Sequence, residues 1–271
     1  MSRKPSGAFG EFWEIVKTLL WAAIIAIVIR TFAYEPFNIP SGSMIPTLLV
    51  GDYLFVSKTA YGYSKFSFPG GIVPVKGRIW EGAPKRGDVV VFRPPGEIDT
   101  DFIKRVIGLP GDHIQVTGGI LSINGEPVQR RRIEDYVDPD DPEQRPIPQY
   151  LETLPGGVTH PVLEAAGDAG PLDNTPVYIV PPDHYFMMGD NRDNSNDSRA
   201  TIGAAAGGKC SGDTIDESNA DCLGTVGFVP EENLIGPAKI LFWSYGSSFR
   251  WYNPITWVTA LRFGRLLNVI E

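Results

Sequence analysis

The chain is poor in the residues that metal sites and histidine-based acid–base sites rely on. It has three histidines, His113, His160 and His184, and two cysteines, Cys210 and Cys222. The cysteines lack the CxxC or Cys/His spacing that a zinc site needs, so no metal is expected, and no cofactor either. A basic surplus is also missing. With 32 acidic against 24 basic side chains, the net charge of −8 repels a phosphate backbone and argues against nucleic acid as a partner. Long apolar runs are absent except for one near the N-terminus, so the remainder is expected to fold outside the bilayer core. No internal repeat is visible.

Glycine and proline are abundant, at 30 and 24 residues, beside 42% apolar side chains. That composition suits many short strands joined by turns, and the predicted fold class is mainly β. Apolar runs bounded by Gly, Pro and Asp predict strands at Tyr53 to Ser57, Asp88 to Phe92, Phe102 to Ile107, His113 to Val116 and Val177 to Val180. The acidic, proline-rich run Asp138 to Pro148 does not suit a central strand, because proline cannot donate to a ladder. It marks residues 125–180 as a subdomain inserted into a core formed by 35–124 and 181–250. Residues 200–224, rich in Gly, Ala, Ser and Asp, read as a surface loop holding both cysteines.

Residues 15–34 carry two charges, Lys17 and Arg30, each near enough to an end to snorkel, and twenty helical residues span about 30 Å, one hydrocarbon core. The uncharged centre, Thr18 to Ile29, is also the size of a leader's apolar region, and Thr31-Phe32-Ala33 resembles a cleavage site. Arg30 fits that second reading poorly, so a retained transmembrane anchor is expected. Positive charge before the span places residues 1–14 in the cytoplasm and everything after it on the outer side. Apolar groups in Tyr61 to Pro69, and Trp251, Tyr252, Ile255, Trp257 and Leu261 in the C-terminal segment 251–271, read either as ordinary packing or as contacts with the lipid interface.

Three polar segments carry the candidate chemistry. Pro40-Ser41-Gly42-Ser43-Met44-Ile45-Pro46-Thr47-Leu48 is a serine and glycine turn just past the span; by itself such a turn is structural more often than reactive, but here a serine would be held close to the bilayer surface. A serine hydroxyl needs a base, and none of the three histidines lies in a segment resembling a triad. Lysine can serve if desolvation brings its pKa from about 10.4 toward 7 or 8. Period-two alternation in Phe102 to Ile107 sets Lys104 on one face between Phe102 and Val106, an apolar setting that favours the neutral amine; a lysine at a strand edge with its head in water is the bland alternative. The third segment, Gly189 to Arg199, is too polar for a core strand. Its spacing from Asp190 fails the calcium-loop pattern, with Ser195 and Thr201 where Gly and Glu would be needed, and its carboxylates and arginines suit paired contacts that brace a neighbouring site.

Taken together, these segments resemble the boxes of bacterial type I signal peptidase. The likeness extends to the anchor, Gly51-Asp52, Lys85 to Phe92, Tyr185 to Met188 and Gly227 to Pro230. It implies a membrane-bound serine endopeptidase of the cytoplasmic membrane that removes leaders from exported preproteins, with a β-rich catalytic core interrupted by a variable region. It implies Ser43 as nucleophile, Lys104 as general base, Ser41 with the Ser43 N–H as oxyanion hole, and Ser195 as the hydroxyl that orients the lysine. Asp190, Arg192, Asp197 and Arg199 match the bracing loop, and Ile39, Pro40, Met44, Leu48, Phe92 and Ile103 the walls of the substrate pockets. The sequence departs from the simplest family pattern at 200–226. An oxidising outer face favours a Cys210–Cys222 bridge over free thiols. Two other classes remain: a catalytically silent envelope protein that binds leader peptides, and a cell-wall serine/lysine enzyme, for which the Ser-x-x-Lys motif is missing because Pro46 follows Ser43 at three positions.

Overall fold

The computed structural model describes residues 8–64, 77–80, 82–201 and 213–270. Part of the expected interfacial stretch, 65–69, and Cys210 lie outside these residues, while Cys222 is disulfide-bonded.

Helix α1 runs from Ala8 to Phe32. Its Gly10–Phe32 stretch has a mean hydropathy of 2.0 and is long and apolar enough to cross a membrane. It starts earlier than the predicted span, helped by the Glu14–Lys17 pair at 3.1 Å one turn apart. It also stops earlier. Ala33 N–H still bonds to Ile29 O, but Tyr34 already belongs to strand β1 (Tyr34–Asn38), so one residue separates the helix from the sheet. That junction is fastened: the Tyr63 hydroxyl donates to Phe32 O, and Glu35 pairs with buried Lys58 at 2.8 Å.

The main sheet takes β1, β2 (Asp52–Ser57), β3 (Val89–Phe92) and β4 (Phe102–Gly108), together with strands Leu234–Ser244, His184–Met188 and Val229–Pro230. Among the described residues its order is β1, β2, 234–244, β3, β4, 184–188, 229–230, with antiparallel neighbours throughout. Apolar side chains fill both faces. One cluster joins Ile39, Met44 and Leu48 to Val89, Val91, Ile103 and Ile235; another joins Val90, Phe92 and Val106 to Tyr185 and Met187. Strand β4 is therefore interior and buried on both sides.

Strands β5 (His113–Thr117) and β6 (Ile120–Ile123) leave this sheet. They form a second sheet with Glu126–Pro127, Val177–Ile179 and Thr214–Ile215, in which Tyr178 faces Ile114 across an antiparallel pair. Between its outgoing and returning strands the chain builds a three-stranded sheet from Gln129–Arg132, Gln149–Thr153 and Thr159–Leu163. The proline-rich run contributes a two-residue ribbon, Pro146–Ile147 against Tyr136–Val137, which joins neither larger sheet but packs Tyr136 and Ile147 against Ile45, Leu49 and Leu163. The described part of the predicted surface loop differs from expectation. Residues 213–224 hold a strand and a 3-10 turn, Glu217–Cys222, capped by Asp216, and bury Ile215, Cys222 and Leu223 against Tyr178 and Phe228. Those three apolar residues anchor a segment whose average composition is polar.

Candidate active site

The turn after β1 is held at both ends. Ile39 and Gly51 exchange backbone bonds with Asp52 and Ile39, closing the loop that contains Ser43. Inside it Leu48 N–H bonds to Met44 O, and Asp52, fully buried, accepts from Leu49 N–H, Ser244 Oγ and Arg265. Met44 and Leu48 point into the core and act as pegs, so Ser43 between them and Gly42 is fixed from below. From the opposite side Asn191 N–H donates to Ser43 O at 3.1 Å and its side chain to Gly42 O at 3.0 Å.

Lys104 comes from the middle of β4, and its Nζ lies 2.6 Å from Ser43 Oγ. Both residues are nearly buried, at 7% exposure for Ser43 and 4% for Lys104. As alternation predicts, Phe102 shares the lysine's face, with its ring centroid 5.6 Å from Nζ. Burial lowers the amine's pKa to about 8; Asp197 and Asp190 pull it back up, and Arg199 pushes it down. At that value roughly a tenth of the amine is neutral at pH 7, against about 0.04% for an ordinary lysine. Ser41 Oγ stands 3.5 Å from Ser43 Oγ on the solvent side.

These side chains border a groove of about 360 Å³ whose walls include Ile39, Pro40, Ile103, Asn194 and Asn196. Three of the predicted wall residues lie elsewhere: Met44 and Leu48 are fully buried beneath the groove, and Phe92 belongs to the cluster with Val106 and Tyr185. Ser195 reaches the site from behind Gly189. Its hydroxyl is buried beside the Asp197 carboxylate, which it helps to hold below the usual range, and a Cβ on residue 189 would stand 2.2 Å from it and 2.6 Å from Ser43 O. Glycine is required there so that the two serine-bearing segments can approach.

The loop 189–199 is pinned by buried ion pairs. Asp190 accepts two bonds from Arg105, at 2.9 and 2.8 Å, and one from Thr47 at 2.5 Å. Burial alone would raise the Asp190 carboxyl, but the Arg105 guanidinium outweighs it and holds the group well below the usual carboxylate range. Asp197 accepts two bonds from Arg199, both at 2.9 Å, and one from Gly189 N–H. Arg192 makes a fork with Glu152, whose carboxyl is raised by burial but drawn down to about 2 by that arginine.

Four of these partners escaped the sequence reading. Arg105 lies inside the segment that carries Lys104 and Thr47 inside the one that carries Ser43, but nothing in their spacing marks them as partners of Asp190. Glu152 and His160 come from the inserted region, and the buried His160 ring lies 3.4 Å from Glu152 and 3.2 Å from Asp190. His113 is exposed, and His184 bonds to Pro182 O on the surface.

The family model described as "Signal peptidase, peptidase S26" matches residues 12–243. The chain belongs to this family. It is a serine endopeptidase, and its similarity to known signal peptidases extends over nearly its whole length. Signal peptidase I of Rickettsia prowazekii (strain Madrid E) is 37% identical over 277 residues, covering 96% of this chain and 92% of the relative. That of Rickettsia canadensis (strain McKiel) is 36% identical over 269 residues, covering 93% and 91%. A solved structure, signal peptidase I of Enterococcus faecalis V583, covers 57% of this S26 peptidase and 96% of its own chain, at 23% identity and a TM-score of 0.29.

Proposed function

We propose that the protein cleaves N-terminal signal peptides from exported preproteins at the outer face of the bacterial cytoplasmic membrane, with Ser43 and Lys104 as its catalytic pair. The observation that carries this reading is an amine desolvated by its surroundings and 2.6 Å from the serine hydroxyl, at the edge of an open groove. Neutral Lys104 takes the Ser43 proton as Oγ attacks the scissile carbonyl. The resulting ammonium then gives that proton to the leaving amine. Water, deprotonated by the same amine, hydrolyses the acyl-enzyme. Ser41 and the Ser43 N–H donate to the oxyanion. Ser195, packed against Ser43 across Gly189, keeps the lysine in line, and the paired loop 189–199 holds Ser195. Helix α1 spans the membrane, so the groove faces chains that emerge beside it, and the apolar walls at Ile39 and Ile103 accept small side chains before the cut.

The test is incubation of the purified protein with a preprotein bearing a cleavable leader. Parent protein should release the mature chain, and Ser43→Ala and Lys104→Ala should lose cleavage while keeping the parent's circular dichroism and unfolding transition. A folded Lys104→Ala variant that cleaves at the parental rate would sink the assignment.

A further inference from the structure

A second cluster of ionisable groups lies where the inserted region meets the bracing loop. Glu164 follows the Thr159–Leu163 strand, Asp173 follows the short 3-10 turn Gly167–Ala169, and Asp193 sits in the 3-10 turn Arg192–Asn194. One carboxylate oxygen from each lies within 4.8 Å of the others. Each group also contacts the protein: Asp193 Oδ2 accepts from Ala166 N–H at 2.7 Å, Asp173 Oδ2 accepts from Gly170 N–H at 2.5 Å, and Glu164 Oε1 faces Arg130 at 3.6 Å.

The remaining oxygen of Glu164 is the telling one. The side chain is 1% exposed, and Oε2 is buried with no hydrogen-bond partner among the described residues. A carboxyl oxygen taken out of water and left unpartnered, with two more carboxylates alongside, must be compensated by a bound cation or by a proton. The arginines nearby are shared or engaged elsewhere: Arg130 divides itself between Glu164 Oε1 at 3.6 Å and Asp168 at 2.7 Å, while Arg192 pairs with Glu152 and Arg199 with Asp197.

We propose that Glu164, Asp173 and Asp193 bind a hard divalent cation, with Ca²⁺ the best fit. An all-oxygen donor set favours Ca²⁺ or Mg²⁺ over zinc. Carboxylates drawn from three separate segments suit the flexible coordination by six to eight oxygens that Ca²⁺ accepts better than the near-ideal octahedron that Mg²⁺ demands. The ion would tie the segment 164–173 to the turn that precedes Ser195. Because its three ligands come from separate segments, no local motif announces it, and the failed calcium-loop pattern at Asp190 does not bear on it. This inference stands apart from the cleavage reading.

The experiment is calorimetric titration of the full-length protein in detergent, stripped with chelator, using CaCl₂ and then MgCl₂. One Ca²⁺ per chain should bind in the roughly 10⁻⁵–10⁻³ M range common for protein Ca²⁺ sites. Glu164→Gln and Asp173→Asn should each weaken it at least tenfold, and Ser43→Ala should bind as the parent does. Asp193 is only half-buried, so Asp193→Asn serves if either of the other two variants fails to fold. A parent that binds no Ca²⁺, its pocket neutralised by a proton instead, overturns the proposal, as do carboxamide variants that bind like the parent.

Discussion

Lys104 occupies a place that disfavours its own charge. An ordinary lysine has a pKa near 10.5, and burial on β4 brings this one to about 8. Below pH 8 the amine is mostly protonated and cannot accept the Ser43 proton. We therefore expect kcat/KM to rise about tenfold per pH unit up to about pH 8 and then level. A peptide-substrate profile that is flat between pH 6 and 9 would contradict this. The same shift governs stability. Between pH 8 and 10.5 the unfolded chain holds a proton that the folded chain has released, so stability rises with pH across that window. Below pH 8 the folded state carries the full penalty, on the order of 3 kcal/mol for a shift of this size. Lys104→Met should thus unfold at higher temperature than the parent at pH 7 and lose the stability rise above pH 8, while abolishing cleavage. A Tm lower than the parent's would show that the amine contributes more to the fold than its desolvation costs.

At the scale of the element, the decisive piece is the loop 189–199, because it brings Ser195 to Ser43 across a residue without a side chain. Gly189→Ala would place a methyl 2.6 Å from Ser43 O and closer still to the Ser195 hydroxyl, so one of the two segments must move. A displacement of about 1 Å in a reacting group can cost roughly 100-fold. We expect a loss of that order in kcat with the unfolding transition nearly unchanged, measured on the purified variant. This element was half legible from sequence. Its density of Asp, Asn and Arg announced a hydrogen-bonded turn, and pairs such as Asp197 with Arg199 lie close enough in the chain to suspect. Arg192 with Glu152 was not legible, since forty residues separate them and Glu152 stands in a stretch read as an excursion. Strand β4 was easier, because period two sets Phe102, Lys104 and Val106 on one side. What alternation could not tell was which sheet each strand joins: His113–Thr117 has the same pattern as its neighbours yet pairs with Val177–Ile179. Nor does an apolar residue reveal whether it lines a groove, as Ile39 does, or fills the core beneath it, as Leu48 does.

For the whole molecule, two concentrations of exposed apolar groups stand out among the described residues, beside scattered ones such as Trp80 and Ile98. One covers α1. The other lies near the C-terminus, where Trp251, Tyr252, Ile255 and Trp257 are 51–77% exposed and Leu261 is half-buried. Aromatic side chains at such a surface suit the boundary between headgroups and acyl chains. We expect a chain lacking residues 1–33 to float with phospholipid vesicles in a density gradient. Trp251→Ser combined with Trp257→Ser should leave it in the soluble fraction. If the anchorless parent itself stays soluble, these residues do not hold it to lipid.

The order of strands in the main sheet has a consequence for biogenesis. Ser43 follows β1 and Lys104 lies on β4, yet the strand that joins their two halves of the sheet is Leu234–Ser244, which is synthesised long after both. A partial chain without that stretch lacks the strand through which the two halves of the sheet pair, and the meeting of nucleophile and base then rests on the contacts of loop 189–199 and the packing beneath the Ser43 turn.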